Sequence, residues 1–396
     1  MKMIRRISAM AAAVFLLLAS QGIGKAENTE EIKDERGRVA SVTWRDDSGN
    51  VTAGPEGYAE IRYRYEGLKT TETYFDAEGA RFTTAGGYCG RSVTKDGRGQ
   101  IARIEYYGPD EKLIMNSQGY AAVNYNYFTF GPERTVVYFD ADGKVTTVPS
   151  LGYAQLENLY TGFTLIGRSF MNEKGEPADS IRDGYATMTK KMNRKRTQIL
   201  RVNYTHADGS PATGPDGWHR CESDLDKKDR VTETRYYDEQ GALTDKGGYA
   251  KETYLYSKGE VTVSRFDAAG NPVLFGGVAA SALRKMKGEL ILSETYLDDA
   301  GKVTVLPEGY ATAEYTYDKD GRITLVQYRD AAGDKVKNNQ GYSAIRLAWD
   351  DRGRLAGREF LDEKGTGTKN AEGVVSEEKY VYDADGRITD IVRIND

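Results

Sequence analysis

Residues 309–329, which read GYATAEYTYDKDGRITLVQYR, decide the fold. After the opening Gly-Tyr pair, residues 311–317 alternate strictly between two kinds of side chain. The polar face holds Thr312, Glu314 and Thr316, and the other face holds Ala311, Ala313, Tyr315 and Tyr317. A period of two residues is typical of a strand that is buried on one side. This segment therefore predicts a half-buried β-strand.

The residues that follow predict the rest of a hairpin. Residues 318–321 are Asp-Lys-Asp-Gly, a typical turn sequence, and residues 322–329 are rich in Ile, Leu, Val and Tyr. Residues 330–333, Asp-Ala-Ala-Gly, predict a second turn, after which a polar loop leads to Gly341. At Gly341 the same pattern begins again, so the unit is a repeat.

A glycine followed by Tyr, Trp or Val recurs along the chain at intervals of 29 to 33 residues. These glycines are Gly57, Gly87, Gly119, Gly152, Gly184, Gly217, Gly248, Gly277, Gly309, Gly341 and Gly373. A fixed period of this length is typical of repeat architectures. The sequence predicts an all-β fold of about eleven tandem hairpin repeats over residues 34–396. Short turns between long strands allow only antiparallel pairing, in a long sheet that is either open or coiled into a spiral shell.

The second turn is the most regular element of the repeat, because Asp, Asn or His precedes a glycine by three residues. The pairs are Asp46/Gly49, Asp76/Gly79, Asp140/Gly143, Asn172/Gly175, His206/Gly209, Asp238/Gly241, Asp267/Gly270, Asp298/Gly301, Asp330/Gly333 and Asp362/Gly365. A short polar side chain can accept hydrogen bonds from the backbone ahead of it, and glycine readily adopts the left-handed conformation that closes such a turn.

An aromatic residue stands just before each of these turns. The column comprises Trp44, Tyr74, Tyr106, Tyr138, Phe170, Tyr204, Tyr236, Phe266, Tyr296, Tyr328 and Phe360, of which Phe266 is out of register by one. Stacked repeats would place successive members about two strands, or roughly 10 Å, apart. We interpret the column as core, since a tyrosine ring can be buried while its hydroxyl reaches water.

The amino-terminal residues predict export. Residues 1–26 combine a basic start, a short apolar stretch and small residues before Ala26, as in a secretory signal peptide. An uncleaved amphipathic anchor is the alternative. Residues 27–33 are a charged leader that we expect to be disordered. The repeats would begin in mid-unit, at the turn formed by residues 34–37.

Charge and composition limit the partners. Removing the four positive charges of residues 1–26 changes the formal charge from −5 to −9, which argues against nucleic acid as a partner. No second apolar run is long enough to span a membrane. Two cysteines, Cys89 and Cys221, are too few for a disulfide scaffold. In an extended array they would lie too far apart to pair.

The sequence gives little support for a catalytic site or a metal site. Of the two histidines, His206 fills a turn position, and His219 follows Trp218 without recognisable catalytic partners. Paired acids such as Asp318 and Asp320 fit turns better than a calcium loop, which needs more oxygen ligands at fixed spacing. We therefore predict that the protein is not an enzyme and uses no cofactor or metal. A glycan-active enzyme remains the weakest alternative, because its two carboxylates need be close only in space.

The middle repeats differ most from the consensus, so a specific site is most plausible there. The candidate binding residues are Lys190, Lys191, Arg194, Lys195, Arg196, Trp218 and His219. The basic run fits an anionic polymer, although such a run is usually a solvated face.

Residues 315–324, YTYDKDGRIT, and residues 380–389, YVYDADGRIT, resemble the YD repeats of RHS proteins, teneurins and related bacterial toxin shells. Residues 236–241 are a weaker copy, and degenerate copies cover nearly all of residues 34–396. The resemblance implies successive hairpins in a long sheet that spirals into a shell, and some members of that family bind glycans or enclose a toxin. This sequence departs from the family because it has no Asp-Pro pair and alternates two kinds of turn. We therefore expect neither the RHS core signature nor a carboxy-terminal toxin.

These observations favour a bacterial protein that is secreted or lies on the cell surface, or in the periplasm of a Gram-negative cell. It would act as a binding or adhesion module for a carbohydrate or a surface protein. The alternative is a purely architectural part of an envelope or secretion assembly. Exposed clusters of aromatic residues would favour binding, and uniformly buried aromatic residues would favour architecture.

Overall fold

The computed structural model describes residues 29–371, 373, 376–383 and 387–394. These residues form strands and turns and contain no helix. They fall into two compact units that divide after Arg220. The predicted signal peptide, residues 1–26, lies outside the described residues.

The unit that ends at Arg220 consists of hairpins whose consecutive strands pair antiparallel. Its strands are β1 (Thr29–Lys33), β2 (Val39–Trp44), β3 (Glu60–Glu66), β4 (Lys69–Phe75), β5 (Gly90–Lys95), β6 (Ile101–Tyr107), β7 (Ala122–Tyr127), β8 (Glu133–Phe139), β9 (Gln155–Thr161), β10 (Thr164–Met171), β11 (Thr187–Met192) and β12 (Ile199–Thr205). The division between the units falls within β13 (Arg220–Leu225).

The second unit repeats the arrangement, again with antiparallel neighbours. Its strands are β14 (Val231–Tyr237), β15 (Lys251–Ser257), β16 (Glu260–Phe266), β17 (Pro272–Val273), β18 (Ser281–Lys287), β19 (Leu290–Leu297), β20 (Thr312–Tyr317), β21 (Ile323–Arg329), β22 (Ala344–Trp349), β23 (Leu355–Leu361), β24 (Glu377–Tyr382) and β25 (Ile388–Ile394). The all-β prediction of tandem antiparallel hairpins is confirmed.

The alternation that predicted the first strand of the repeat is visible in its burial. In β20, Ala313 is buried and Thr316 is exposed, and β20 pairs with β21 from Thr312 opposite Arg329. The expectation of a disordered leader is wrong for residues 29–33, which form β1. Although these residues are charged and mostly exposed, their backbone groups pair with β2, and this pairing orders the strand.

The second turn has the predicted chemistry. In the turn at residues 140–143, the Asp140 carboxylate accepts hydrogen bonds from the backbone N–H groups of Asp142 at 3.0 Å and Lys144 at 2.8 Å. Gly143 donates its N–H to the Asp140 carbonyl and has a φ of +78°. His206 also occupies this turn position. There, Asp208 within the turn accepts the N–H of Ser210 at 2.8 Å, and Asp179 of the preceding loop accepts the N–H of Ala207 at 2.9 Å.

The aromatic column is core, but its rings do not stack on one another directly. In the unit ending at Arg220, the rings that follow the repeat glycines, from Tyr58 to Tyr185, each lie between two column rings. The ladder runs Trp44, Tyr58, Tyr74, Tyr88, Tyr106, Tyr120, Tyr138, Tyr153, Phe170, Tyr185, Tyr204 and Trp218. Neighbouring centroids are 4.7 to 6.2 Å apart, a normal range for edge and tilted ring contacts.

In the second unit an arginine takes the place of one ring, which explains why Phe266 is out of register. The guanidinium of Arg265 lies 4.5 Å from the ring centroid of Tyr249 and 4.4 Å from that of Phe275. A planar cation can stack between two aromatic faces, so the ladder continues through it. Phe266 is the next residue along β16, and its ring lies under the ammonium of Lys251. Beyond Phe275 the ladder runs through Tyr296, Tyr310, Tyr328, Tyr342 and Phe360.

The tyrosine before the first turn ties one hairpin to the preceding hairpin. The hydroxyl of Tyr317 donates to the carbonyl of Ile291 at 2.7 Å. Ile291 faces Met286 beside a shift in the register of its own hairpin. Equivalent bonds, each spanning 26 or 27 residues, run from Tyr65 to Val39, Tyr127 to Ile101, Trp349 to Ile323 and Tyr382 to Leu355. Thus in the Tyr-Asp pair the tyrosine links neighbouring hairpins, and the aspartate closes the turn.

Replacing a turn glycine should destabilise the fold through its backbone alone. A Cβ added at Gly143 or Gly301 meets nothing within 4 Å, but both glycines have positive φ angles. We expect Gly143→Val and Gly301→Val each to cost about 1–3 kcal/mol of unfolding free energy in urea denaturation. Gly97→Val is the matched control, because Gly97 lies in a turn with equal open space and without a positive φ. Equal midpoints for all three variants would contradict the turn assignment.

Removing the hydroxyl of Tyr317 should weaken the link between hairpins. Tyr317→Phe leaves the Ile291 carbonyl without this donor and should cost about 1–2 kcal/mol of unfolding free energy. Tyr256→Phe serves as the control, since Tyr256 lies next to the end of β15 at the corresponding position and its hydroxyl makes no hydrogen bond within the described part of the chain. The link would be unimportant if both variants unfolded at the same denaturant concentration.

Candidate binding surface

Of the predicted binding residues, Trp218 is a ring of the ladder and His219 is the residue next to it. Trp218 is 5% exposed, and its ring centroid lies 5.3 Å from that of Tyr204. His219 occupies the position after the ladder ring where Ala186 and Ala250 stand in other repeats, and its carbonyl accepts the N–H of Tyr204. Both residues therefore contribute to the packing of the repeat.

The structure separates the predicted basic run into three environments. Lys190 points to the ladder face, at the strand position held by Tyr125 and Tyr254 in other repeats. Burial lowers the pKa of its ammonium, and the nearby positive charge of Arg168 lowers it further, against an opposing effect of Asp216. Lys190 is thus half-buried and poorly placed to meet a large partner.

Lys191, one residue further along β11, faces outward in a row of exposed side chains, here called the outward column. In the unit ending at Arg220 the column contains Arg64, Asn126, Leu159 and Lys191, and in the second unit Asp224, Leu255, Lys285, Thr316, Ala348 and Val381. Arg64 and Asn126 are separated by the hairpin of the half-buried Thr94, and the other neighbouring members within a unit belong to successive hairpins, about 10 Å apart. The column therefore presents exposed side chains of varied chemistry at a regular spacing over most of each unit.

The outward face also holds a network of charged and polar side chains around Glu105. Its carboxylate accepts hydrogen bonds from Lys69 at 2.8 Å, Arg103 at 2.9 Å, Tyr107 at 2.8 Å and Ser92 at 3.1 Å. Burial acts to raise the pKa of Glu105, but the hydrogen bonds from Lys69, Tyr107 and Arg103 outweigh it and bring the pKa to about 2. This part of the outward face is a fixed, ionised network.

Arg194, Lys195 and Arg196 lie in the turn between β11 and β12, and all three are exposed. Arg196 has a φ of +56°, in the left-handed region that most of these turns give to glycine and one gives to Asp229. Its guanidinium donates to the hydroxyl of Thr161 at 3.1 Å. That contact joins the basic turn to the neighbouring turn at residues 162–163.

The neighbouring turns carry an aromatic tip cluster, composed of Phe128, Phe130, Tyr160 and Phe163. The centroid of Phe130 lies 5.2 Å from that of Phe128, 5.8 Å from that of Tyr160 and 5.4 Å from that of Phe163. Phe163 is 75% exposed and Phe130 38% exposed. The structure therefore places the predicted basic residues 194–196 beside an exposed aromatic group.

Sequence reasoning missed the aromatic tip cluster, although a signal was present. Phe128 occupies the first-turn position held by Asp96 and Asp318 in other repeats, and it makes the same backbone bonds to Gly131 and Pro132. This position normally holds a carboxylate, which closes the turn. An aromatic residue there differs from the repeat pattern, and the turn itself does not require it.

Within the described residues, no group of three or more His, Cys, Asp or Glu side chains is arranged to hold a metal ion. Over the same residues, no helix is long and apolar enough to cross a membrane. Cys89 is buried, its sulfur lies 3.3 Å from the hydroxyl of Thr83, and no disulfide joins it to Cys221.

No family model and no curated protein matches the chain. Among solved structures, it is similar to the TcdB2–TccC3–TEV complex at 12% identity and a TM-score of 0.23, over 91% of this chain and 19% of that one. It is similar to the Tc holotoxin pore of Photorhabdus luminescens at 12% identity and a TM-score of 0.24, over 92% of this chain and 19% of that one. It is similar to the dihydro-heme d1 dehydrogenase NirN at 12% identity and a TM-score of 0.20, over 80% of this chain and 79% of that one. The chain spans about a fifth of the length of the toxin chains. No activity or partner follows from likenesses at these TM-scores.

Stability should fall in acid as Glu105 is protonated. Its pKa is depressed from 4.5 to about 2, so its contribution is complete above pH 4.5 and is lost as the pH falls towards 2. We expect this group to account for about 1–2 kcal/mol of the acid loss in unfolding free energy, allowing for solvent screening. Glu105→Gln should flatten that part of the pH profile. A Glu105→Gln profile parallel to that of the wild type would contradict the assignment.

Proposed function

We propose that this chain is a secreted or cell-surface bacterial module that holds a glycan or a protein partner through its repeat surface and catalyses no reaction. The outward column carries the proposal, since it recurs from hairpin to hairpin on the face that the ladder does not use. Its members differ in chemistry, including Arg64, Asn126 and Leu159, so each site alone would be weak. Several weak sites at a fixed spacing bind tightly together because the second contact is intramolecular.

The alternative, a purely architectural part of an envelope or secretion assembly, is favoured by the ladder. Nearly all of its rings are buried or half-buried between strands and loops. Such rings stabilise the repeat and are not available to a partner. The exposed aromatic tip cluster departs from that uniform burial, and it supports a surface that binds.

Deleting one whole repeat separates these possibilities. Removing residues 309–340 joins Glu308 to Gly341, so that the Glu308 carbonyl takes the place of Gln340 as the acceptor for Ala371. The ladder would lose the rings of Tyr310 and Tyr328, and Tyr342 would then pack next to Tyr296. We expect the shortened chain to fold, with unchanged circular dichroism per residue. In a screen of glycans and matrix proteins, it should bind the same ligand as the full repeat region, about 2–10 times more weakly.

Two results would overturn the proposal. The first is complete loss of folding after the deletion, because modular repeats should close up around it. The second is hydrolysis of a glycan, peptide or phosphate ester that a single carboxylate substitution abolishes. If the intact chain binds nothing in the screen while the shortened chain folds, the architectural alternative is supported.

A further inference from the structure

The aromatic tip cluster is not explained by folding. Several other first turns of the same length close with aspartate, as at Asp96, so the turn geometry does not require Phe128. The ladder does not require it either, because no ring of the cluster contacts a ladder ring within the described residues. In the described residues of the second unit, the first turns carry no aromatic residue. The cluster is therefore an added feature of one group of hairpins.

Basic side chains surround the cluster. Arg98 donates to the carbonyls of Phe128 at 3.0 Å and Thr129 at 3.3 Å, and the guanidinium carbon of Arg134 lies 5.9 Å from the Phe128 centroid. On the other side, Arg196 contacts the turn that carries Phe163, and Arg194 and Lys195 are exposed in the same turn as Arg196.

Three acidic residues, Asp96, Glu133 and the exposed Glu157, accompany five basic residues at this edge: Arg98, Arg134, Arg194, Lys195 and Arg196. The carboxylate of Asp96 accepts the N–H groups of Arg98 at 2.8 Å and Gln100 at 2.9 Å. Glu133 begins β8, where burial raises the pKa of its carboxyl against an opposing effect of Arg168. This edge is thus positively charged in a chain whose net formal charge is −5.

We propose that the aromatic tip cluster and the basic residues beside it dock on an anionic lipid surface. Exposed phenylalanines gain free energy by entering the boundary between headgroups and acyl chains, and neighbouring Lys and Arg residues are attracted by anionic headgroups. The occupant is a bilayer, since exposed apolar rings beside basic side chains match the acyl boundary and the anionic headgroups at the same time.

Ring geometry supports the same occupant. Phe130 meets Tyr160 at 75° and Phe163 at 82°, so these rings present edges and faces in several directions rather than one flat platform for a sugar. Docking by the tips would leave the outward column accessible. The inference therefore goes beyond the proposed function and does not depend on it.

The test uses the chain from Glu27 onward, because the apolar residues of the predicted signal peptide would themselves bind lipid. Co-sedimentation is measured with vesicles of phosphatidylcholine alone and with vesicles that also contain phosphatidylglycerol. We expect binding to the mixed vesicles that weakens with added salt. Phe163→Ser and the double variant Arg194→Gln/Lys195→Gln should each reduce the partition constant about tenfold. Ile181→Ser is the control, because Ile181 is 67% exposed but lies outside the cluster.

Soluble probes identify the class of ligand. Glycerol phosphate should not displace the protein from vesicles, because a headgroup alone offers no acyl boundary. Displacement by glycerol phosphate, equal binding of the wild type and both variants, or retention on heparin without binding to vesicles would each overturn the proposal. The glycan and protein screen is repeated with Phe163→Ser. An unchanged signal there, together with lost vesicle binding, separates this site from the outward column.

Discussion

The burial of one strand face is the constraint on which the rest of the structure depends. A thin repeat of two strands and a loop has little volume to fill, and the ladder fills it with two rings from each typical repeat. In two repeats the loop passes very close to a ring, which glycine allows. A Cβ on Gly54 would come within 2.8 Å of the Trp44 ring, and a Cβ on Gly214 within 2.4 Å of the Tyr204 ring. Ring and loop glycine therefore act together, because neither position packs without the other.

The ladder tolerates charge where the charge is paired or stacked. Arg265 replaces a ring by lying between Tyr249 and Phe275 while it donates to Glu252 at 3.0 Å. Glu72, which is buried, accepts hydrogen bonds from Arg91 at 2.8 Å and from Tyr74 at 2.8 Å. A buried charge with such partners avoids the full cost of desolvation. The sequence can thus differ from one repeat to another without interrupting the stack. Lys190, which stands at a strand position held by tyrosine in other repeats, is one such difference.

The two faces and the turns of the repeat consequently have different roles. The inward face is committed to the ladder, and Tyr317 and its equivalents commit the strand ends to the neighbouring hairpin. The outward column and the turn residues are less constrained, which is why side chains as different as Lys191, Leu255 and Phe163 are found there. Side chains that bind a partner can be introduced at these positions because such substitutions lower the stability of the fold only a little. The aromatic tip cluster and the basic residues 194–196 are an example, since they come from turns that are adjacent in space but about 30 residues apart in sequence.

The sequence by itself determined the elements with local causes. Alternation in residues 311–317 determined which side of β20 is buried, and the Asp140 and Gly143 pair determined a turn, because both effects depend on residues close together in the chain. Only the tertiary structure decided what lies between elements about 15 residues or more apart. It placed Tyr88 between Tyr74 and Tyr106, separated Lys190 from Arg194, and paired β1, which composition alone described as disordered. Those outcomes depend on the registration of one hairpin against the next, and no single repeat contains that information.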